Sequence, residues 1–375
     1  MPITGSATLE GTTRYVQRFQ DTAAPNHFRE AQHLHLSSIG IGTYLGNPDD
    51  NTDARYADAI VRAVELGANV IDTAANYRFQ RSERSIGKAL SALAREQGSA
   101  LPNEGIARDE IVICTKGGYV PFDGAPPRDV RSYVEETFVK PGIARFEDFV
   151  GGSHCMTPAY LQNQLDQSLR NMNLESVDVY YIHNPESQLG HVSENEFFSR
   201  LTSAFRSLEQ SRAERKLGFY GVATWNGFRV PHGTTGYHSL AWMEAAAREA
   251  GGVSHGFRFI QLPFNLAMPE ALTLSNQTVA GEQLSFLEAA EALGMTVVSS
   301  ASIFQGRVAR GLPETVRLPL GSLRTDAQTA IQFARSAPGI ATALVGMSSR
   351  EHVEENLELV TAEPLKPEQL LQLFS

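Results

Sequence analysis

The sequence predicts an α/β fold, a closed (β/α)8 TIM barrel, on three observations. From residue 36 onward, short and mostly apolar runs alternate with amphipathic helical patterns. Eight such strand–helix pairs follow one another in strict order, which marks a parallel sheet covered by helices. Eight is also the number of strands that closes this barrel. An open doubly wound sheet, built from the same units, is the competing architecture.

Each pair is legible in turn. "LSSIGIGT" (36–43) is a first strand and turn, followed by the helix "DARYADAIVRAVELG" (53–67) with Asp53 as N-cap and Gly67 as stop. "NVID" (69–72) is the second strand and "SERSIGKALSALAREQ" (82–97) its helix. "DEIVICTKGG" (109–118) precedes the helix "TPAYLQNQLDQSLRNM" (157–172), which has Pro158 in its first turn. "SVDVYYIHNP" leads to a helix at "ENEFFSRLTSAFRSLEQSRA", and "KLGFYGVAT" to one at "YHSLAWMEAAAREAG". "FRFIQLPFN" is followed by the helix "GEQLSFLEAAEALG" (281–294), and "MTVVSSA" by "DAQTAIQFARSA". "IATALVGMS" and the helix "SREHVEENLELV" (349–360) complete the series.

Two segments fall outside the eight pairs, and the whole of 1–375 reads as one barrel domain. Residues 1–35 form an N-terminal extension, expected as a hairpin that plugs the barrel floor. Residues 117–157 form a long loop after the third strand, on the side where such loops act as lids.

Composition narrows the function. With 42% hydrophobic residues among 375, a large core is available. A formal net charge of -10 argues against nucleic acid or an anionic membrane as partner. Two cysteines, Cys114 and Cys155, are too few for a secreted disulfide scaffold, so a reducing, cytoplasmic setting is expected. No run approaches the ~20 apolar residues of a membrane span, and the N-terminus has no apolar signal core.

In a barrel the residues that end the strands converge on one mouth. Asp72 and Tyr77 follow the second strand, Lys116 ends the third and His183 the fourth. On its own, Asp72 also reads as a turn cap and Tyr77 as a ring packed at a loop edge. Together the four have a coherent chemistry. Tyr77 acts as the general acid that protonates a carbonyl oxygen. Lys116 lowers the pKa of that phenol by favouring the phenolate. Asp72 keeps the buried ammonium charged, and His183 orients the substrate oxygen.

The motifs "GIGTYLG", "NVIDTAANY", "SERSIGKAL", "IVICTKGG", "SVDVYYIHNP", "GFYGVATWN", "FIQLPFN" and "VGMSSREHVEENL" resemble the aldo-keto reductase superfamily over roughly residues 34 to 360. The resemblance implies reduction of small aldehydes, ketones or sugars with NADPH, and it puts the family's Asp, Tyr, Lys and His on Asp72, Tyr77, Lys116 and His183. It implies that Gly42, Thr43 and Tyr44 lie near the nicotinamide, and that Gln261 holds its carboxamide together with Thr224 and Asn226. The last two replace a Ser–Asn pair common in the family, Ala223 and Thr224 standing at the matching positions. Ser300 stands where many relatives stack an aromatic ring under the nicotinamide. After strand eight, Gly346 and Ser348 open a helix whose free N–H groups suit a phosphate. Arg350 and Ser348 are expected on the 2′-phosphate, and Glu355 and Asn356 at the adenine.

Other readings are weaker. "GIGTYLG" imitates a dinucleotide-binding glycine motif, but "NPDDNTDA" delays the helix that such a motif must open directly. His33 and His35 in "HLHL" lack the further ligands of a barrel metallohydrolase and are expected at the floor or surface, and "HCM" (154–156) supplies one His and one Cys without partners. No metal is expected. The rivals to a reductase are an NADP-binding redox-sensing or regulatory barrel subunit and an NAD-linked sugar dehydrogenase.

Overall fold

A computed structural model describes residues 1–94, 105–321 and 323–374. Eight parallel strands close a barrel: Ile39–Gly42, Val70–Asp72, Val112–Gly117, Val177–His183, Leu217–Ala223, Phe257–Pro263, Thr296–Ser300 and Ile340–Gly346, numbered one to eight below. Each pairs with its neighbour in the series, and strand eight closes on strand one from Ala343 opposite Ile39 to Gly346 opposite Gly42. The open doubly wound sheet is thereby excluded.

The apolar runs look continuous because both faces of each strand are buried. Val70, Val112, Val179, Tyr181, Phe259, Val298 and Leu344 point into the barrel. Their sequence neighbours Ile71, Ile113, Tyr180, Ile182, Ile260, Val297 and Val345 point out to the helices. At Gly221 the staves pass so closely that an added Cβ would lie 1.7 Å from the Phe259 carbonyl oxygen.

The N-terminal extension is a plug, as expected, and more than a hairpin. Strands Phe28–Ala31 and Leu34–Ser37 pair antiparallel, and Leu34 and Leu36 cap the barrel interior from below. The first apolar run is therefore split between this hairpin and barrel strand one. His33 lies at the hairpin turn and His35 on its second strand. A helix at Leu9–Gln17 precedes it, tied to the barrel by Arg14–Asp109 at 2.6 Å and Arg18–Glu110 at 3.0 Å. Its Gly-Thr-Thr stretch has low helix propensity, so tertiary contacts and the Thr8 cap decide it.

Other boundaries move for local reasons. The helix after strand one runs Asp50–Glu65 and is capped by Asp49, whose side chain accepts from the Thr52 N–H at 2.7 Å. Asp53, expected as the cap, is instead buried one turn further in. The helix read over 82–97 is seen at Arg81–Leu93, with 95–97 outside the described residues. Glu282–Ser285, read as helix, pairs with Ser275–Val279 in a hairpin, and Ser285 then caps the helix Phe286–Ala292. The helix after strand eight is Arg350–Leu357, followed by a 3-10 turn at Glu358–Thr361 and a short helix at Pro367–Leu371 that the sequence reading did not include.

The loop over 117–157 packs Val134, Phe138, Ala144, Phe149 and Cys155 into a small core against Tyr160 of the following helix, Pro158–Met172. Its two ends are stitched together where the Cys155 N–H donates to the Gly118 carbonyl at 2.8 Å. It thus returns to the mouth beside strand three. No described helix is long and apolar enough to cross a membrane.

Candidate active site

A cavity of about 470 Å³ opens at the C-terminal ends of the strands. Gly42, Thr43, Tyr44, Asp72, Tyr77, His183, Thr224, Gln261, Ser300 and Gly346, all singled out from the sequence, line it. Parallel strands of one barrel end at the same rim, so residues 304 positions apart in the chain share this wall.

Lys116 sits behind the wall, 1% exposed. Its ammonium donates to Asp72 Oδ2 at 2.6 Å and to the Thr73 carbonyl at 2.7 Å. The second Asp72 oxygen accepts from Gln261 Nε2 at 2.8 Å. Lys116 Nζ also lies 4.9 Å from the centroid of the Tyr77 ring. The ring of Tyr77 meets Tyr44 edge-on at 4.9 Å and His183 at 5.8 Å. The four groups expected to act together are in contact.

Burial and charge set their protonation. Burial alone would lower the Lys116 ammonium, but Asp72 and Tyr77 outweigh it and hold the group above its ordinary value. Burial lifts the Asp72 carboxyl, while Lys116 and Gln261 pull it back. Burial also raises the Tyr77 phenol, and Lys116 opposes this without overcoming it. Lys116 lowers this pKa, as the sequence reading has it, but desolvation of the phenolate is the larger effect and the net shift is upward. Tyr77 stays protonated at neutral pH, as a proton donor must. His183 is pushed far down, by burial first and then by Lys116 and His154, and is a neutral imidazole.

His154 steadies this arrangement. Its Nε2–H donates to the His183 carbonyl at 2.7 Å while its Nδ1 accepts from Gln188 at 3.0 Å. The sequence reading weighed His154 only as a metal ligand and did not foresee this hydrogen-bonding role. Tyr119, Asn76, Asn184, Trp225 and Gln305 also line the cavity, and sequence reasoning passed them over. Tyr119 directly follows the "TKGG" turn and Trp225 lies within a quoted motif, so position after a strand was their signal.

The remaining residues divide. Thr224 is buried at the cavity wall, and its Oγ1 has no hydrogen-bond partner. Asn226 is exposed, and its backbone N–H donates to Glu186 at 3.2 Å. Ser300 stands at the wall without an aromatic face. Beyond Gly346, Ser348 is half-buried and Ser349 caps the helix Arg350–Leu357, accepting from the His352 N–H at 3.4 Å. Arg350 is exposed at the first turn, with Glu354 at 3.3 Å and Asp58 at 3.5 Å. Glu355 is half-buried, while Asn356 is buried with an unpartnered Oδ1. Buried polar atoms left without a partner ask for an explanation. Those of Thr224 and Asn356 suit the amide and adenine ends of a nicotinamide dinucleotide.

A model described as the aldo/keto reductase family matches residues 38–229, just over half of the chain. A Schizosaccharomyces pombe protein named for a voltage-gated potassium channel subunit beta is 23% identical over 370 residues, 95% of this chain and 94% of that one. The NADH-specific methylglyoxal reductase of Escherichia coli K12 is 26% identical over 193 residues, 50% of this chain and 48% of that protein. The crystal structure of a Klebsiella pneumoniae aldo/keto reductase in complex with NADP and acetate superposes with a TM-score of 0.62 at 19% identity, covering 93% of this chain and 94% of that one. The barrel, its rim residues and the matched model agree, and the chain belongs to the aldo/keto reductase family of oxidoreductases.

Proposed function

We propose that the protein is an NADPH-dependent reductase of small aldehydes, ketones or sugar carbonyls, with Tyr77 as the general acid. The observation that carries this reading is the buried Lys116, which touches Asp72 at 2.6 Å and faces the Tyr77 ring at 4.9 Å. A cation held there favours the phenol's loss of a proton just as the substrate oxygen gains one. Neutral His183, at the same wall, has a ring nitrogen to offer the carbonyl oxygen and adds no charge of its own.

NADPH, when bound, supplies the hydride for the carbonyl carbon. Thr224 and Gln261 would hold its amide end, Ser348 and Arg350 the 2′-phosphate, and Glu355 and Asn356 the adenine. Tyr44 and Tyr119 line the mouth beside Tyr77 and His183. The Klebsiella aldo/keto reductase was crystallised with NADP, which supports the cofactor assignment.

The S. pombe likeness favours a second reading, a cofactor-binding regulatory subunit with little turnover. A steady-state NADPH-oxidation assay over a panel of aldehydes, ketones and sugars separates the two. Turnover of one or more carbonyls supports the reductase, whereas tight NADPH binding with a silent panel supports the subunit.

A further inference from the structure

The turn that delivers Tyr77 is unusual. Arg78, Phe79 and Gln80 follow one another at φ 48°, 58° and 68°. Three consecutive residues with side chains occupy the left-handed region, which L-residues avoid because Cβ crowds the backbone. Such a run persists only where its surroundings over-determine it, and it collects at functional sites.

Two of the three side chains are buried and make polar contacts. Arg78 pairs with Asp53, donates from Nε to the Asn47 carbonyl at 3.0 Å and lies over the Tyr56 ring at 5.2 Å. Asp53 also accepts from Arg81 at 2.7 Å. The Tyr56 hydroxyl donates to the Leu45 carbonyl at 2.7 Å, in the loop that carries Tyr44 against Tyr77. From the other side, Gln80 donates to the Phe122 carbonyl at 3.2 Å and accepts from Asn171 at 3.0 Å. As a fold staple this pair is poor: Arg78 Nη1 is buried without a partner, and a buried ion pair rarely outperforms apolar packing.

We propose that the Arg78–Asp53 pair is a positioning clamp: it holds the left-handed turn 78–80, and through it the Tyr77 hydroxyl, in register with Lys116. The clamp rests on the reading of Tyr77 as the acid. Together with the Asn47 contact it locks the loop and first helical turn after strand one to the turn after strand two, so the ring of Tyr77 is fixed from both. Without the clamp the turn relaxes toward ordinary φ and the phenol drifts from the ammonium.

The test compares Arg78→Met, Arg78→Lys, Asp53→Asn and Tyr77→Phe with wild type, using the best-reduced carbonyl of the panel. Arg78→Met and Asp53→Asn are expected to lower kcat at least tenfold with KM within about threefold, and Arg78→Lys to recover part of the loss. The pH profile of kcat should shift in these variants, since the Tyr77–Lys116 contact changes. In the protein alone, amide hydrogen exchange over residues 73–82 should quicken while the other barrel strands stay as protected as in wild type. Should Arg78→Met fail to fold, Asp53→Asn, which keeps volume and one oxygen, carries the same readouts. Activity that falls only with the folded fraction, on an unchanged pH profile, overturns the clamp. If Tyr77→Phe keeps more than about a tenth of wild-type kcat, the acid assignment fails and the clamp with it. An inactive Tyr77→Phe beside wild-type-like Arg78 variants overturns the clamp alone.

Discussion

Lys116 and Asp72 meet at 2.6 Å with side chains 1% and 6% exposed. Such a pair is worth little as a staple, because desolvation consumes most of the attraction, yet breaking it strands a charge at a cost of about 3–5 kcal/mol. Lys116→Met and Asp72→Asn are each expected to lower both stability and turnover. The double variant should lose less than the sum, since groups acting as a unit are non-additive. Urea unfolding and kcat measured on the four proteins of the cycle check this, and strict additivity would separate the two residues.

Tyr77→Phe removes one hydroxyl and leaves the packing against Tyr44 and His183. Carbonyl reduction is expected to drop by about 10²–10⁴-fold, the usual worth of a general acid. NADPH affinity, read by fluorescence titration, should stay within about twofold, the scatter of context effects. A large loss of affinity would falsify the purely substrate-directed role of the phenol.

Cofactor choice turns on Arg350. Its contacts with Asp58 and Glu354 are exposed ion pairs, worth about 0–1 kcal/mol, so the guanidinium is free to swing to a phosphate. A charge-assisted contact of about 1.5–3 kcal/mol corresponds to roughly ten- to a hundredfold in affinity. Wild type is therefore expected to bind NADPH at least tenfold tighter than NADH by this estimate. Arg350→Ala should erase that margin from the NADPH side and leave NADH within about twofold. Equal wild-type affinities at fixed salt would point to an NAD-linked sugar dehydrogenase.

Stability should fall in mild acid. His27 is wedged between the Gly67 carbonyl at 2.9 Å and Ser38 Oγ at 3.1 Å, and burial pushes it from 6.5 down to about 4. His154 is pushed to about 4 likewise, again mainly by burial. Below 6.5 the unfolded chain binds protons that the folded chain refuses, so stability falls as pH drops and the loss is complete near pH 4. Each histidine contributes about 2 kcal/mol between pH 7 and 5 by this linkage. Urea unfolding across that range should show a shallower pH slope in His27→Gln, a residue far from the cavity. An unchanged slope would remove His27 from the account.

The sequence by itself determined the barrel, because a parallel strand buried on both faces must be apolar throughout and its covering helix must be amphipathic. It also determined which side chains stand at the rim, because the end of each apolar run is a chain position, as with Asp72, Lys116, His183 and Gln261. What only the tertiary structure decided depends on partners far away in the chain. Asp53 carries the signature of a helix cap until Arg78 and Arg81 are seen to claim it. His154 offers the sequence only a metal ligand lacking companions, until the loop folds back onto the His183 carbonyl. Glu282–Ser285 has helical periodicity but zips onto Ser275–Val279. The direction of the Tyr77 shift is likewise tertiary: the neighbouring lysine is legible in the chain, whereas the burial that outweighs it is set by how the surrounding loops close.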